Sequence, residues 1–129
     1  MKAVIDSCAW IELLVDGPNT PVFKRALAQA SAVVVPVICL HEAHRYVSAH
    51  FGEDEADDFA QSLQSHEVMD VDAALALEAA RLGRQHKLAL ADSLVYASAL
   101  RCGAELWTQD ADFKGLVGVR YHPKKKAQA

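Results

Sequence analysis

The chain has 129 residues and a formal net charge of −4; hydrophobic residues make up 52% of the sequence and charged residues 23%. This length fits one domain with a buried core, and the composition excludes an intrinsically disordered protein. The 13 Lys and Arg residues are outnumbered by 17 Asp and Glu residues, so the chain lacks the basic excess typical of nucleic-acid-binding proteins. Its three cysteines are too scattered for a disulfide framework or a zinc ribbon.

The sequence gives no sign of a membrane span or of a signal peptide. The longest apolar stretch, 33–40, contains Pro36 and is far shorter than the roughly 20 residues that a bilayer requires. Asp6 interrupts the apolar start where a signal peptide would continue. We therefore expect a cytoplasmic protein whose cysteines are reduced thiols.

In chain order, the first predicted elements are two strands separated by helices. Residues 2–6 and 32–36 are short, rich in β-branched residues and bounded by polar or turn residues, as buried strands are. A helix is expected to begin near Ser7, a turn follows at 16–19, and Thr20-Pro21 is a typical start for a second helix.

The rest of the sequence predicts four helices and then two strands. Asp72 is the expected cap of an amphipathic helix, and Gly103 is expected to end a helix that is apolar on nearly all sides. The predicted helices are one that carries Leu40, Ala43 and Val47, and three at 56–63, 72–86 and 91–102; the strands are 104–108 and 117–121.

This alternation predicts an α/β protein: a three-layer α/β/α fold with a mostly parallel sheet of about four or five strands. We expect one domain over residues 1–123 and a basic, disordered tail over 124–129. In open sheets of this class, ligands bind beyond the carboxyl ends of the strands, near the point where strand order reverses. Acidic residues placed just after strands are therefore expected to meet there.

Four acidic residues in separate segments occupy such positions. Asp6 ends the first strand, Asp110 follows a later strand, Glu42 lies in the helix after the second strand, and Asp92 lies near the start of the central helix. Oxygen ligands without His or Cys spacing favour Mg²⁺ or Mn²⁺ over zinc. Such an ion would relieve the repulsion between the acids and assist the displacement of a phosphate ester, which is nuclease chemistry.

Each acid, taken alone, also has an ordinary structural explanation. Asp6 could cap the helix that follows it, and Asp92 could stabilise a helix start electrostatically. Glu42 could pair with Arg45, and 109–112 could be only a turn. The predicted metal site therefore depends on the four acids as a set.

The segments around the four acids form an ordered set that spans nearly the whole chain. They are Val4-Ile5-Asp6-Ser7, Leu40-His41-Glu42-Ala43, Leu90-Ala91-Asp92-Ser93-Leu94 and Thr108-Gln109-Asp110-Ala111-Asp112-Phe113. In order, spacing and total chain length, this set resembles the acidic motifs of PIN domains, and in particular those of the VapC toxins of bacterial toxin–antitoxin pairs.

This resemblance implies both a fold and an activity. The fold would be PIN-like, and the protein would be a metal-dependent endoribonuclease whose products carry 5′-phosphate and 3′-hydroxyl ends. Asp6, Glu42, Asp92 and Asp110 would be the catalytic acids and would bind one or two Mg²⁺ or Mn²⁺ ions, with Asp112 as a further candidate ligand. The partners would be an RNA substrate, a second copy in a homodimer, and a VapB-like antitoxin whose tail covers the site.

Residues next to the acids have expected supporting roles. Ser7 and Thr108 match positions where the family carries hydroxyl groups, which can orient carboxylates; local backbone capping is the alternative. Cys8 departs from the family, which usually has a small polar residue there. Arg45, beside Glu42, is the first candidate for holding the RNA backbone.

The first helix carries more apolar surface than one buried face needs. Trp10, Ile11, Leu14 and Val15 fit an intermolecular groove for the antitoxin, although packing into the core is the alternative.

Other functions stay open at this stage. One is a PIN-like binding module without catalysis, and another is an α/β phosphatase or receiver domain with an acidic pocket. The latter usually has a second acid close to the first, whereas Ser7 and Cys8 follow Asp6 here. A zinc protease is excluded because its helix needs two His residues four apart, and Arg45 stands four residues after His41.

Overall fold

The computed structural model describes residues 1–126, which form five strands, six α-helices and one short 3₁₀ helix. The strands are β1 Ala3–Ile5, β2 Val33–Pro36, β3 Glu67–Met69, β4 Glu105–Thr108 and β5 Val119–Tyr121. The helices are α1 Ser7–Val15, α2 Thr20–Gln29, α3 Val37–Phe51, α4 Glu53–Leu63, α5 Ala73–His86 and α6 Leu90–Cys102, and the 3₁₀ helix is Ala111–Phe113.

All strand pairs are parallel, and the strand order is β3-β2-β1-β4-β5. The central strand β1 is the first in the chain, and its Val4 is level with Val34 of β2 and Leu106 of β4. The chain moves outwards from β1 to β3 and then returns to the other side of β1 at β4. Strand order therefore reverses between β1 and β4, and the predicted three-layer α/β/α fold is confirmed.

Both faces of the sheet are covered, because all three residues of β1 are buried. Helix α6 is buried on several sides through Val95, Tyr96, Ala97 and Ala99, which confirms its predicted central place. It ends at Gly103, whose φ of 66° lies in the left-handed region that favours glycine.

The caps and bounds of the helices follow local sequence signals closely. Asp72 caps α5 as predicted, because its Oδ1 accepts a hydrogen bond of 2.8 Å from the backbone N–H of Leu75. Helix α3 begins at Val37, directly after β2 and earlier than position 40. No helix within residues 1–126 is long and apolar enough to span a membrane.

The one strand that the sequence did not predict is β3. It lies at the edge of the sheet, and Glu67 and Val68 are exposed, so its three residues show no apolar run. At the other end of the chain, Lys124, Lys125 and Lys126 are exposed and belong to no helix or strand. Of the tail predicted over 124–129, residues 127–129 lie outside the described residues.

Candidate metal centre

The predicted acids lie at the carboxyl ends of the strands, near the point between β1 and β4 where strand order reverses. Asp6 directly follows β1, and its backbone N–H donates to the carbonyl oxygen of Trp107 in β4 at 2.9 Å. Asp110 lies two residues after β4. Glu42 is in the second turn of α3, which follows β2, and Asp92 is in the first turn of α6.

The acids form two neighbouring groups. In the first, carboxylate oxygens of Asp6 and Glu42 and the Sγ atom of Cys39 lie within 4.8 Å of one another. In the second, carboxylate oxygens of Asp92, Asp110 and Asp112 lie within the same distance of one another. The structure thus brings Asp112 close to the predicted ligands, and it adds Cys39, which the sequence did not single out.

Asp6 is a buried carboxylate with two hydrogen-bonded oxygens. Its Oδ1 accepts from the backbone N–H of Ser7, and its Oδ2 accepts from the Thr108 hydroxyl, both at 2.8 Å. Burial raises the pKa of Asp6 from 3.8 to about 6; the hydrogen bonds from Thr108 and Ser7 oppose this rise, and the charge of Glu42 adds to it. Asp6 therefore caps α1 and also offers a carboxylate to the site.

Both predicted supporting hydroxyls contact the acids. The Ser7 hydroxyl donates to Glu42 Oε1 at 3.0 Å. Thr108 donates to Asp6 and accepts from the backbone N–H of Asp110 at 2.9 Å, so one hydroxyl joins the two groups of acids. Thr108 is fully buried, which leaves its hydroxyl few other partners.

Asp92 experiences the charge of all the other acids. Its pKa is raised to about 7, first by burial and then by the negative charges of Asp110, Asp6, Glu42 and Asp112. Within residues 1–126, no Lys or Arg forms an ion pair with any of these five acids. The cluster therefore holds negative charge that no side chain of the described chain neutralises.

The donor atoms fit a hard divalent cation. Mg²⁺ and Mn²⁺ prefer carboxylate oxygens, and an ion of charge +2 would offset the repulsion that raises the pKa of Asp92. When no ion is bound, the neighbouring thiols are protonated, because burial and the nearby acids raise the pKa of Cys39 well above its ordinary value and that of Cys8 to about 12. Five of the six candidate donors in the two groups are carboxylate oxygens.

A buried polar network next to the site was not predicted from the sequence. Asn19 Nδ2 donates to Gln109 Oε1 at 2.7 Å and to the carbonyl oxygen of Pro123 at 2.9 Å. The Asn19 backbone N–H donates to Oε2 of the buried Glu12 at 2.8 Å. Since Gln109 precedes Asp110, this network fixes the chain that carries a candidate ligand. The turn residues 16–19 were the only signal, and they did not indicate a partner 90 residues away.

The apolar residues of α1 divide between core and surface. Trp10 is 5% exposed and packs in the core, so the alternative to a docking role is correct for this residue. Leu14 and Val15 are exposed and, with Phe51 of α3, line a surface groove of about 460 Å³. The candidate RNA-binding residue Arg45 is exposed and lines a different groove, beside Glu42.

The fold and the site together define a class: α/β proteins with an acidic cluster, suited to divalent cations, at the switch point of a parallel sheet. The family model of the PIN domain matches residues 3–118. The chain belongs to this family, and the resemblance to PIN domains is confirmed. No curated protein matches the chain.

Several solved structures share the fold. A toxin–antitoxin complex from Klebsiella pneumoniae has a chain that is 22% identical, with a TM-score of 0.74 over 92% of this chain and 95% of that chain. VapC20 of Mycobacterium tuberculosis, a toxin that cleaves the sarcin–ricin loop, is 21% identical, with a TM-score of 0.75 over 92% and 98%. VapBC2 of Rickettsia felis, solved with a fragment of promoter DNA, is 17% identical, with a TM-score of 0.74 over 97% and 100%.

Proposed function

We propose that this protein is a Mg²⁺- or Mn²⁺-dependent endoribonuclease and the toxin of a VapBC-type toxin–antitoxin pair. The observation that supports this most is the meeting of five carboxylates from four separate segments, with no cation among the described side chains to neutralise them. Membership of the PIN domain family and the likeness in fold to toxins of such pairs point in the same direction.

Each residue of the site has a role in this proposal. Asp6, Glu42, Asp92 and Asp110 would hold one or two ions, and Asp112 lies close enough to join them. A divalent ion bound there would supply a water of lowered pKa and would offset the charge that develops on the phosphate oxygens. Hydrolysis of the RNA phosphodiester would leave 5′-phosphate and 3′-hydroxyl ends.

The supporting side chains would keep the carboxylates in place for that reaction. The hydroxyl of Thr108 holds one Asp6 oxygen, and the hydroxyl of Ser7 holds one Glu42 oxygen. A carboxylate that is held in this way loses less conformational freedom when an ion binds.

The proposed partner is a VapB-like antitoxin, and the groove lined by Leu14, Val15 and Phe51 is its proposed docking surface. These three side chains are 41%, 45% and 51% exposed, which makes a larger apolar patch than isolated surface residues would.

We also propose that two copies of the chain form a homodimer. The three free cysteines fit a reducing compartment, and we propose the cytoplasm.

The first experiment incubates total cellular RNA with the purified protein and Mg²⁺ or Mn²⁺, or with EDTA. We expect cleavage that needs the ion and new ends that carry 5′-phosphates. The variant Asp110→Asn should lose at least 100-fold in rate, because it removes one carboxylate charge from the site. Asp70→Asn is the matched control, since Asp70 is exposed and lies outside the site.

Other outcomes separate the alternatives. Binding of Mn²⁺ without cleavage of any RNA would favour a binding module without catalysis. Hydrolysis of p-nitrophenyl phosphate with intact RNA would favour a phosphatase with an acidic pocket. Cleavage that survives Asp110→Asn would show that the activity comes from elsewhere.

A further inference from the structure

A groove of about 490 Å³ borders the acidic cluster. The groove follows α3 from Ile38 to His50 and includes Ala91 of α6. One candidate metal ligand, Glu42, lines it, and a second, Asp92, is the residue after Ala91. A space of this size is within the range of pockets that hold small organic ligands. A group bound in this groove would therefore lie beside the phosphate that the acids act upon.

Two aromatic rings are already stacked in this groove. The ring centroids of Tyr46 and His50, one turn apart on α3, are 4.0 Å apart with an interplanar angle of 18°. The His50 Nδ1 atom lies 2.8 Å from the Tyr46 carbonyl oxygen and donates to it when Nδ1 carries the proton, which holds the imidazole against the phenol ring. Tyr46 remains 37% exposed. An ordered aromatic surface of this kind can stack a nucleobase at little cost in entropy.

The groove also carries a cation without a partner. Arg45 lines it and is exposed, and among residues 1–126 no carboxylate forms an ion pair with its guanidinium. In a chain of net charge −4, this guanidinium lines the same groove as Glu42 and can attract the phosphates of RNA. An aromatic stack, a free guanidinium and adjacent acids suit a nucleotide better than an apolar segment of protein.

We propose that this groove binds an unpaired nucleobase next to the scissile phosphate, stacked on Tyr46, with Arg45 on a neighbouring phosphate. The proposal rests on the ribonuclease function proposed above and adds a basis for substrate choice. Bases in a helix are already stacked and paired, whereas bases in loops and single strands are free to enter the groove. The protein would therefore select RNA that presents a splayed base at this position.

The test measures binding of fluorescein-labelled octamers of adenylate or uridylate, with Ca²⁺ in place of Mg²⁺ to prevent hydrolysis. We expect Tyr46→Ala to weaken binding about tenfold, as loss of one stacked base does, and Tyr46→Phe to stay within about twofold of the wild type. Leu77→Ala is the control, because Leu77 is an exposed apolar residue of α5 that lines neither this groove nor the groove of Leu14, Val15 and Phe51. The affinity for Mn²⁺ should be unchanged in all three variants.

A second series of octamers lacks one base at each position in turn. The wild type should lose about tenfold at one position, and Tyr46→Ala should lose almost nothing more there, because the base and the ring form one contact. If the wild type cleaves RNA and Tyr46→Ala binds RNA as tightly as the wild type does, the nucleobase proposal is overturned and the proposed ribonuclease function stands. If Tyr46→Ala also has a smaller mass than the wild type by light scattering, the groove instead holds a second copy of the chain. A wild type that neither binds nor cleaves RNA would overturn the proposed function as well.

Discussion

When no cation is bound, burial and neighbouring negative charges disfavour the ionised forms of Asp6 and Asp92. Both have an ordinary pKa of 3.8, and the fold raises these values to about 6 and about 7. Their protons are therefore held more tightly in the folded chain than in the unfolded chain. The stability that these protons contribute is fully present below about pH 4 and is lost as the pH rises through 6 and 7. For the nearly fully buried Asp6, this corresponds to about 3 kcal/mol.

We therefore expect the metal-free protein to become less stable between pH 5 and pH 8, and Mg²⁺ or Mn²⁺ to restore stability at pH 8. Asp92→Asn should stabilise the metal-free protein at pH 8 and have less effect at pH 5, because it removes the charge that the other acids repel. The measurement is urea unfolding at both pH values, with and without the ion.

Asp70→Asn serves again as the control and should change neither the pH dependence nor the response to the ion. Stability of the metal-free wild type that is constant or rising from pH 5 to pH 8 would contradict this prediction. So would an Asp92→Asn variant that the ion stabilises as much as it does the wild type.

At the scale of the elements, the turn between α1 and α2 holds the site through Asn19. This residue is 1% exposed, and its amide donates to Gln109 and to Pro123. We expect Asn19→Ala to lower the free energy of unfolding by about 1–3 kcal/mol, because it leaves the buried Oε1 of Gln109 without a donor. It should also weaken Mn²⁺ binding, because Gln109 precedes Asp110.

Urea unfolding and Mn²⁺ titration of the folded variant would check both parts. Gln61→Ala, which removes an exposed amide from α4, is the control and should change neither quantity. An Asn19→Ala variant of unchanged stability would show that the network does not hold the loop.

The elements differ in how far their sequence determines them. The strong patterns were predictable because burial on both sides gives β1 an unbroken apolar run and gives α6 apolar or small residues on nearly all sides. Strand β3 was not, because its pairing with β2 stabilises three residues that are mostly exposed. The acids could be expected to meet once the fold was known. The network of Asn19 and the place of Cys39 depend on contacts between distant segments, which local patterns do not encode.

At the scale of the whole molecule, the proposed docking groove and the groove beside the acids are lined by different residues. The groove of Leu14, Val15 and Phe51 shares no residue with the groove that contains Glu42 and Tyr46. A partner that binds one of these grooves therefore leaves the other groove open to a different part of the same partner. Under the proposed function, RNA cleavage and antitoxin binding can therefore be separated by mutation.

We expect the double variant Leu14→Ser, Phe51→Ser to cleave RNA at the wild-type rate but to bind a VapB-like antitoxin at least tenfold more weakly. Both side chains are exposed, so their replacement should cost little stability. The measurements are RNA cleavage at increasing antitoxin concentration and calorimetric titration. Val117→Ser is the control, since Val117 is 81% exposed and lies in neither groove. Inhibition of the double variant at the wild-type antitoxin concentration would reject this docking surface.

The order of the strands also bears on how the chain is made. The central strand β1 is synthesised first, but one of its two neighbours, β4, begins only at Glu105, and Asp110 comes later still. Pairing between such distant segments forms slowly, because a long loop must close first. A ribosome must therefore complete most of the chain before the acidic cluster can assemble. Under the proposed function, a nascent copy has no nuclease site during most of its own translation, which gives an antitoxin made at the same time the chance to bind before any RNA is cut.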